Sequence, residues 1–297
     1  MILIAMLLFS MMDAGVKYVS TLLPLALVLW VRYAVQAIGM TAWIMRTQGR
    51  RGFRAEHPRF QLVRGALLLV VSALAFVSVR VMPLAEFTAI IMLWPVLATA
   101  VIGVLFREHV SGARWLLVLG GFVGTVIVVR PGSGLFGWAA LMPLLTMIVA
   151  TAYNLLTSRL AVLDDPFTTQ FYAGVTGTAL LTPIVLLQAA ASADELRSAT
   201  AVQLAVPLAI GACGTIGHLL LVMAFRRAGT ATLMPFTYAQ IAFAALMGWL
   251  IFSTTPDFWA WVGIAVIGIC GALSAWFNVR QAQEAGVPLA ALEPPAD

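Results

Sequence analysis

The chain has 297 residues, of which 62% are hydrophobic and 10% are charged, and its net charge is +5. A soluble domain has about 45–50% apolar and about 25% charged residues. A soluble fold of this length would have too little interior for so many apolar side chains, so the composition excludes one. Cys213 and Cys270 both lie within apolar runs and form neither a disulfide framework nor a CxxC metal motif.

Apolar runs follow one another along the chain, each of about the 20 residues that a helix needs to cross a bilayer. Runs such as 62–79 and 87–106 lack the alternating pattern of a transmembrane β-barrel. Helices also satisfy every backbone polar group internally. The sequence therefore predicts an all-α polytopic membrane protein with ten transmembrane helices, at residues 2–20, 25–45, 62–80, 86–106, 114–130, 137–158, 168–188, 201–224, 231–252 and 258–278.

Lysine and arginine divide unevenly between the two sets of loops. One set contains twelve of them: Arg46, Arg50, Arg51, Arg54, Arg59, Arg64, Arg107, Arg114, Arg159, Arg226, Arg227 and Arg280. The other set contains four: Lys17, Arg80, Arg130 and Arg197. Because cytoplasmic loops carry an excess of basic residues, we expect the first set and both termini in the cytoplasm of a bacterial cell, with the helices in its inner membrane. The positive charge then reports membrane topology, and no nucleic-acid partner is expected.

The two halves of the chain resemble each other in the order of their features. Residues 90–108 (IIMLWPVLATAVIGVLFRE) parallel residues 236–254 (FTYAQIAFAALMGWLIFST), and Arg32-Tyr33 parallels Phe171-Tyr172. Five helices per half is an odd number, so the halves have opposite orientations, as in secondary transporters with a substrate site at the midplane. We predict two inverted five-helix repeats around a central cavity, at residues 1–133 and 134–280, followed by a cytoplasmic tail at 281–297.

Several moderately specific stretches occur in a fixed order along the chain: FSMMDAGVKYVS (9–20), LWVRYAVQ (29–36), FREHVSGARW (106–115), GFVGTVIVVRPGSG (121–134) and GHLLLVMAFRRAGTATLMPFTYAQ (217–240). Together they resemble the EamA-type branch of the drug/metabolite transporter superfamily. The resemblance implies ten helices, an inverted repeat, a central cavity and export or exchange of amino acids and related metabolites. Some similar proteins import riboflavin or S-adenosylmethionine, so the resemblance does not fix direction. At the position that matches Glu108, the second half has Ser253-Thr254, so no twofold role is implied for Glu108.

Three charged residues in or near the spans are candidates for coupling or gating. A charge at the centre of a span costs about 2.5–3.5 kcal/mol on insertion scales, so each needs a partner or a function. Asp13 and Lys17 share one helix face and can pair near the outer interface; alternatively Asp13 belongs to the translocation path and exchanges a proton. Glu86 follows Pro83 at the start of span four, where a negative charge stabilises the N-terminus of the helix. Gating is the alternative role for Glu86.

Arg32 leads the substrate-binding candidates, because it lies about 10 Å into span two at the helical rise and keeps its charge. It can bind a carboxylate or phosphate through two parallel hydrogen bonds, or form a structural ion pair with Asp13 or Glu86. Trp94-Pro95 predicts a kink in the middle of span four. Other polar or aromatic groups at membrane depth either line a pocket or hydrogen-bond between helices: Tyr33, Trp94, Tyr153, Asn154, Tyr172, His218, Tyr238 and Gln240.

The sequence thus predicts a secondary active transporter that moves a small polar metabolite by alternating access, as an exporter or exchanger. An importer of a vitamin or nucleoside-like metabolite is the alternative. An intramembrane enzyme is a remote third, because His57, His109 and His218 fall in different topological contexts and no HExxH motif occurs. The expected partners are a small-molecule substrate, the lipid bilayer and a proton or counter-substrate, for a monomer or homodimer without cofactor or metal.

Overall fold

The structure, a computed structural model, describes residues 1–105, 112–130, 141–189, 197–227, 233 and 236–284, and these contain helices and no strand. The helices are α1 (Ile2–Val19), α2 (Leu25–Thr47), α3 (Pro58–Val81), α4 (Leu84–Ile91), α5 (Trp94–Leu105), α6 (Gly112–Val129), α7 (Leu141–Leu160), α8 (Pro166–Gln188), α9 (Ala201–Arg227), α10 (Ala239–Phe252) and α11 (Phe258–Glu284), with a 3₁₀ turn at Gly49–Phe53. Glu108, the boundary between residues 133 and 134, and the tail from residue 285 lie outside the described residues.

The helices have the length and composition of membrane spans. Seven in the described part are long and apolar enough to cross a bilayer: α1, α2, α3, α7, α8, α9 and the Phe258–Phe277 part of α11. Three shorter apolar helical stretches lie at Leu84–Ala98, Trp115–Val129 and Ala239–Phe252. The ten predicted spans fall on these ten segments, and the predicted all-α polytopic membrane fold is confirmed.

Proline and aspartate define where several helices begin. Pro58 and Pro166 occupy the first turns of α3 and α8. A backbone N–H in the first turn has no acceptor within the helix, so the N–H that proline lacks costs no hydrogen bond there. Asp165 caps α8, since its Oδ1 accepts hydrogen bonds from two backbone N–H groups of the first turn. Asp257 caps α11 in the same way through the N–H of Ala260, at 2.8 Å.

Helix packing repeats itself when the two halves of the chain are exchanged. Helices at equivalent places in the two halves pack together, α2 against α8 and α6 against α11. The packing of α1 on α9 has its counterpart in α7 on α3, and that of α2 on α9 in α8 on α3. Likewise α1 packs on α10 as α7 packs on α4 and α5. Two five-helix units related by a twofold axis would pack in this way; the boundaries of the units and their opposite insertion stay predictions.

Glycines allow the equivalent helices to approach closely. A Cβ added at Gly174 of α8 would lie 2.6 Å from the backbone nitrogen of Ala37 in α2. A Cβ added at Gly263 of α11 would lie 2.7 Å from the carbonyl oxygen of Gly124 in α6. Small residues at such crossings let van der Waals packing hold helices together in lipid, where no hydrophobic effect does so.

One end of the bundle joins the loops predicted to be cytoplasmic. The hydroxyl of Thr168, at the start of α8, donates to the carbonyl oxygen of Gly52 in the turn after α2. Arg226, at the end of α9, has its Nη1 4.0 Å from Oδ2 of Asp165. These contacts group the connections after α2, α7 and α9 on one side, as predicted; which side faces the cytoplasm stays a prediction.

The opposite end of the bundle joins residues from the other set of loops. Arg130, after α6, pairs with Asp257, before α11, through Nη2 and Oδ2 at 2.6 Å. Lys17, in the last turn of α1, donates from Nζ to the carbonyl oxygens of Val79 at 3.0 Å and Met82 at 2.7 Å. The ammonium group therefore satisfies carbonyls that the end of α3 leaves free.

Candidate functional site

A cavity of about 110 Å³ lies among α1, α2, α3, α4, α5, α7, α9 and α10. Apolar and aromatic side chains form most of its wall, and a few polar groups converge on it, as is typical of sites for small molecules. It brings together seven of the residues singled out from the sequence: Asp13, Arg32, Trp94, Tyr153, Asn154, His218 and Gln240. The cavity therefore collects side chains from both halves of the chain.

Three tyrosines predicted to bind substrate do not line this cavity. Tyr33 is fully buried, and its hydroxyl shares a hydrogen bond of 3.0 Å with Oγ of Ser72. Tyr172 packs edge-on against its neighbour Phe171, with ring centroids 5.7 Å apart. Tyr238 packs against α11 instead. Their roles as substrate ligands stay predictions, with Tyr33 placed one layer behind the wall.

The carboxylates and Lys17 form fewer ion pairs than the sequence suggested. The pairing of Asp13 with Lys17 is wrong for this structure, because no ion pair within 4.0 Å joins them in the described residues, and Lys17 instead donates to the end of α3. Arg32 likewise pairs with neither Asp13 nor Glu86 within the same part of the chain. Glu86 lies in the first turn of α4, as predicted, and is 6% exposed.

Arg32 is 1% exposed and presents hydrogen-bond donors that the protein does not use. Its Nη1 donates to Oγ of Ser72 at 3.0 Å, and its guanidinium lies over the ring of Tyr33 at 4.6 Å. Its Nε and Nη2 have no hydrogen-bond partner in the described residues. On the α9 side, a Cβ added at Gly214 would lie 2.9 Å from Nε. A buried cationic N–H without an acceptor is unfavourable, so this edge of Arg32 favours a bound anion or water.

Trp94 and Gln240 reach the cavity from helices interrupted at matched positions. The kink predicted at Trp94-Pro95 is confirmed as a break between α4, which ends at Ile91, and α5, which begins at Trp94. Pro95 has no N–H to donate to the carbonyl four residues earlier. In the second half, Tyr238 forms a turn before α10 begins at Ala239. Discontinuous helices of this kind form the substrate sites of many transporters.

A hydroxyl contacts the backbone beside each interruption. Ser10 of α1 donates from Oγ to the carbonyl oxygen of Gln240 at 3.2 Å. Thr151 of α7 donates from Oγ1 to the carbonyl oxygen of Trp94 at 3.4 Å. The same contact therefore occurs twice with the halves exchanged, between the first helix of one half and the fourth span of the other.

Asp13 and Asn154 occupy equivalent places on these two first helices. Each lies three residues after the hydroxyl residue of its helix, and both line the cavity. The Asn154 side chain donates from Nδ2 to the carbonyl oxygen of Ala150 at 2.9 Å. One half thus presents an ionisable carboxylate where the other presents a neutral amide, so the two sides of the cavity differ in charge although their backbones match.

Arg64 is the residue that sequence reasoning missed. The prediction that it lies in a cytoplasmic loop is wrong. Helix α3 begins at Pro58, so Arg64 lies almost two turns inside the helix and is fully buried. The signal was present, because proline is favoured in the first turn of a helix. The predicted span, 62–80, already contained residue 64, but Arg64 was grouped with the basic residues of the loop before it.

Arg64 connects three helices and reaches the cavity wall through Tyr153. Its Nε donates to Oγ1 of Thr157 at 2.9 Å, and its Nη1 donates to the carbonyl oxygen of Thr169 at 3.3 Å. Its Nη2 donates to the hydroxyl oxygen of Tyr153 at 2.9 Å. That hydroxyl lies 3.4 Å from Nδ1 of His218. The network joins α3, α7, α8 and α9 behind the cavity.

Comparisons with known proteins agree with this architecture. Residues 137–276 match the EamA-like transporter family. A riboflavin transporter of Vibrio cholerae is 26% identical over 94% of this chain and 93% of its own length. An S-adenosylmethionine uptake transporter of Rickettsia bellii is 25% identical over 82% and 81%. The pseudopaline exporter CntI of Pseudomonas aeruginosa is 26% identical over 90% and 92%.

A solved structure supports the fold independently. A protein crystal structure superposes with a TM-score of 0.65 at 18% identity and covers 93% of this chain and 95% of that chain. The family match, the length-wide relatives and the apolar helices agree that this is a multi-pass membrane transporter and not an enzyme. The chain is thus similar to EamA-type members of the drug/metabolite transporter superfamily, through the family match over residues 137–276 and through transporters that resemble it over most of its length.

Proposed function

We propose that this transporter is a secondary carrier that moves a small polar metabolite through the cavity by alternating access. The substrate, an amino acid or related compound, contacts Arg32 and the other polar and aromatic groups of the wall. Asp13 serves coupling, by exchanging a proton or by responding to a counter-substrate. The carrier works in a bacterial inner membrane with both termini in the cytoplasm, as a monomer or homodimer.

The observation that carries this proposal is that two nitrogens of buried Arg32, Nε and Nη2, have no hydrogen-bond partner among the described residues, beside a cavity at membrane depth. A charge buried in a transmembrane bundle is expensive unless it serves a function. The matched interruptions before Trp94 and before Ala239 support movement of the two halves about this cavity. Such movement would expose the site to one side of the membrane at a time.

Export or exchange is the direction we propose, and import is the second candidate. The relatives contain both directions, since one is an uptake transporter for S-adenosylmethionine and another is an exporter of pseudopaline. The riboflavin transporter of Vibrio cholerae favours a ring-containing vitamin as an alternative substrate. The aromatic groups of the wall, among them Phe9, Phe76 and Trp94, would suit such a ring.

Solute counterflow in proteoliposomes tests the proposal. Vesicles with the purified protein are loaded with amino acids, riboflavin or S-adenosylmethionine, and entry of the labelled compound is followed. The expected result is saturable entry of unmodified solute that internal unlabelled solute accelerates. Unsaturable entry would indicate a channel, and chemically altered solute would indicate an enzyme; either result would contradict the proposal.

A pair of alanine substitutions links counterflow to this cavity. Ala75 of α3 lines the cavity, whereas Ala42 of α2 is exposed on the outside of the bundle. Ala75→Trp is expected to fill the cavity and abolish counterflow, and Ala42→Trp is expected to leave it intact. Equal activity of both variants would place the substrate path elsewhere.

Labelling of introduced cysteines tests the membrane topology separately. Cysteines at Arg51 and Arg226 are expected to react from the cytoplasmic side only, because their loops lie at the same end of the bundle. A cysteine at Asp257 is expected to react from the other side. Labelling of positions 51 and 226 from opposite sides would contradict the inverted arrangement of the repeats.

A further inference from the structure

We propose that Arg64, acting through Tyr153, holds His218 as a hydrogen-bond donor toward the cavity, so that His218 and Arg32 together bind an oxyanion. In this inference His218 is a ligand-binding residue and Arg64 is a positioning residue. The oxyanion is a carboxylate or a phosphate group. The inference deepens the proposed function by naming the chemical class of the substrate, but the state of His218 can be measured without any transport assay.

The direction of the hydrogen bonds follows from the chemistry of arginine. A guanidinium has donors and no acceptor, so the Tyr153 oxygen, 2.9 Å from Nη2 of Arg64, accepts. The Tyr153 proton is then free to be donated, and Nδ1 of His218 lies 3.4 Å away. When Nδ1 of a neutral imidazole accepts, the ring proton resides on Nε2. His218 is thereby fixed as an Nε2–H donor.

Arg64 is held in place by hydrogen bonds to two neighbouring helices. Each of its three guanidinium nitrogens already donates to α7 or α8. Behind it, Gln61 donates from Nε2 to Oγ1 of Thr169 at 3.2 Å and to Oδ2 of Asp164 at 2.7 Å. Asp164 also accepts from the backbone N–H of Glu56 at 2.7 Å. The chain of hydrogen bonds therefore anchors Arg64 to the loops at one end of the bundle.

His218 is in turn held against the wall by aromatic rings. It is 8% exposed and lines the cavity. The ring of Phe9 lies 4.6 Å from it, and the ring of Tyr153 meets it edge-on at 6.0 Å. These contacts restrict rotation of the imidazole. If the tautomer with the proton on Nε2 is preferred, its N–H is therefore held in one position.

The charges around the cavity favour an anionic ligand. Arg32 and Arg64 are buried cations, whereas Asp13 is the carboxylate among the wall residues that the structure describes. Glu86 and Lys17 lie beyond the wall and have opposite charges. A positive excess in a medium of low dielectric is stabilised by a bound anion. A cavity of about 110 Å³ has room for a small oxyanion, since one water needs about 10–15 Å³ by this measure.

Nitrogen-15 NMR of histidine-labelled protein tests the positioning step. Protonated and unprotonated imidazole nitrogens have well-separated shifts, and the His218 signals are those lost in His218→Gln. The expected wild-type result is one neutral tautomer with the proton on Nε2. Tyr153→Phe is expected to shift the Nδ1 signal and to produce a mixture of tautomers, because the donor to Nδ1 is removed.

Tyr18→Phe is the matched control, since Tyr18 is exposed on α1 and does not line the cavity. It is expected to leave the His218 signals unchanged. A wild-type proton on Nδ1, or His218 signals that are the same in Tyr153→Phe as in wild type, would overturn the inference. The wild-type measurement decides the matter even if Tyr153→Phe does not fold.

Small anions then test the ligand class. Sodium acetate and sodium phosphate are titrated against sodium chloride at equal ionic strength, and the Nε2 signal of His218 is followed. A saturable shift with acetate alone assigns a carboxylate, a shift with phosphate alone assigns a phosphate, and shifts with both assign oxyanions in general. Arg32→Gln is expected to remove the shift. No shift with either anion would overturn this inference, while counterflow in proteoliposomes would still support the proposed function.

Discussion

Replacing Arg32 with glutamine or lysine measures what its unpartnered guanidinium edge contributes to substrate binding. Hydrogen bonds to charged groups contribute about 1.5–3 kcal/mol each, and two donor nitrogens, Nε and Nη2, have no acceptor in the part of the chain that the structure describes. Arg32→Gln removes both charge-assisted bonds, about 3–6 kcal/mol, which corresponds to about 10²- to 10⁴-fold weaker binding. Arg32→Lys keeps a positive charge and one bond, so binding is expected to weaken about 10- to 100-fold.

The assay is the half-saturation concentration of the solute that shows counterflow, measured together with thermal stability of the purified protein. Arg130→Gln is the matched control, because Arg130 pairs with Asp257 in an exposed ion pair and such pairs contribute little to stability. Arg130→Gln is expected to leave half-saturation unchanged. A half-saturation concentration in Arg32→Gln equal to that of wild type would refute the role of Arg32 in binding.

Three further substitutions test other parts of the site and of the fold. Asp13→Asn gives the first half the neutral amide found in the second, and it is expected to flatten the pH dependence of uptake; an unchanged profile would argue against proton exchange at Asp13. Gly214→Ala places a Cβ 2.9 Å from Nε of Arg32, so it should raise the half-saturation concentration without lowering thermal stability. A half-saturation concentration equal to that of wild type would contradict the close approach of Arg32 to Gly214. Hydrogen bonds from a backbone N–H in the first turn of α11 and from Arg130 lower the pKa of Asp257. Its carboxylate thus adds stability above its ordinary pKa that is lost as pH falls through the lowered value. Asp257→Asn should therefore lower the melting temperature at neutral pH, and the difference from wild type should vanish once the pH falls below the lowered pKa of Asp257; a constant difference at all pH values would refute this.

The fold was largely predictable because lipid imposes one strong rule on sequence. A span must be apolar over its whole length, so runs of apolar residues place the helices to within a few residues. The break before Trp94 was predictable as well, because Pro95 lacks the N–H that a continuous helix requires. The order of matched features likewise pointed to two similar halves.

Side-chain partners were harder to predict than the helices. Asp13 and Lys17 lie one turn apart, which made a local pair reasonable, but the end of α3 offers Lys17 two free carbonyls. Arg64 was missed because its acceptors, Thr157 and Tyr153, lie on another helix far along the chain. A sequence shows local spacing, whereas these contacts depend on which helix faces meet.

Access to the cavity from each side of the membrane tests the account most directly. Ala75 of α3 and Ala150 of α7 line the cavity from opposite halves, and Ala42 lies outside it. With Cys213 and Cys270 replaced by alanine, single cysteines at positions 75 and 150 are treated with a membrane-impermeant thiol reagent from each side. We expect each of these two cysteines to react with reagent added on either side. Substrate is expected to raise the rate of reaction from one side and to lower the rate from the other, while the rate at position 42 does not change with substrate. Reaction of positions 75 and 150 from one side only, with or without substrate, would contradict alternating access through this cavity.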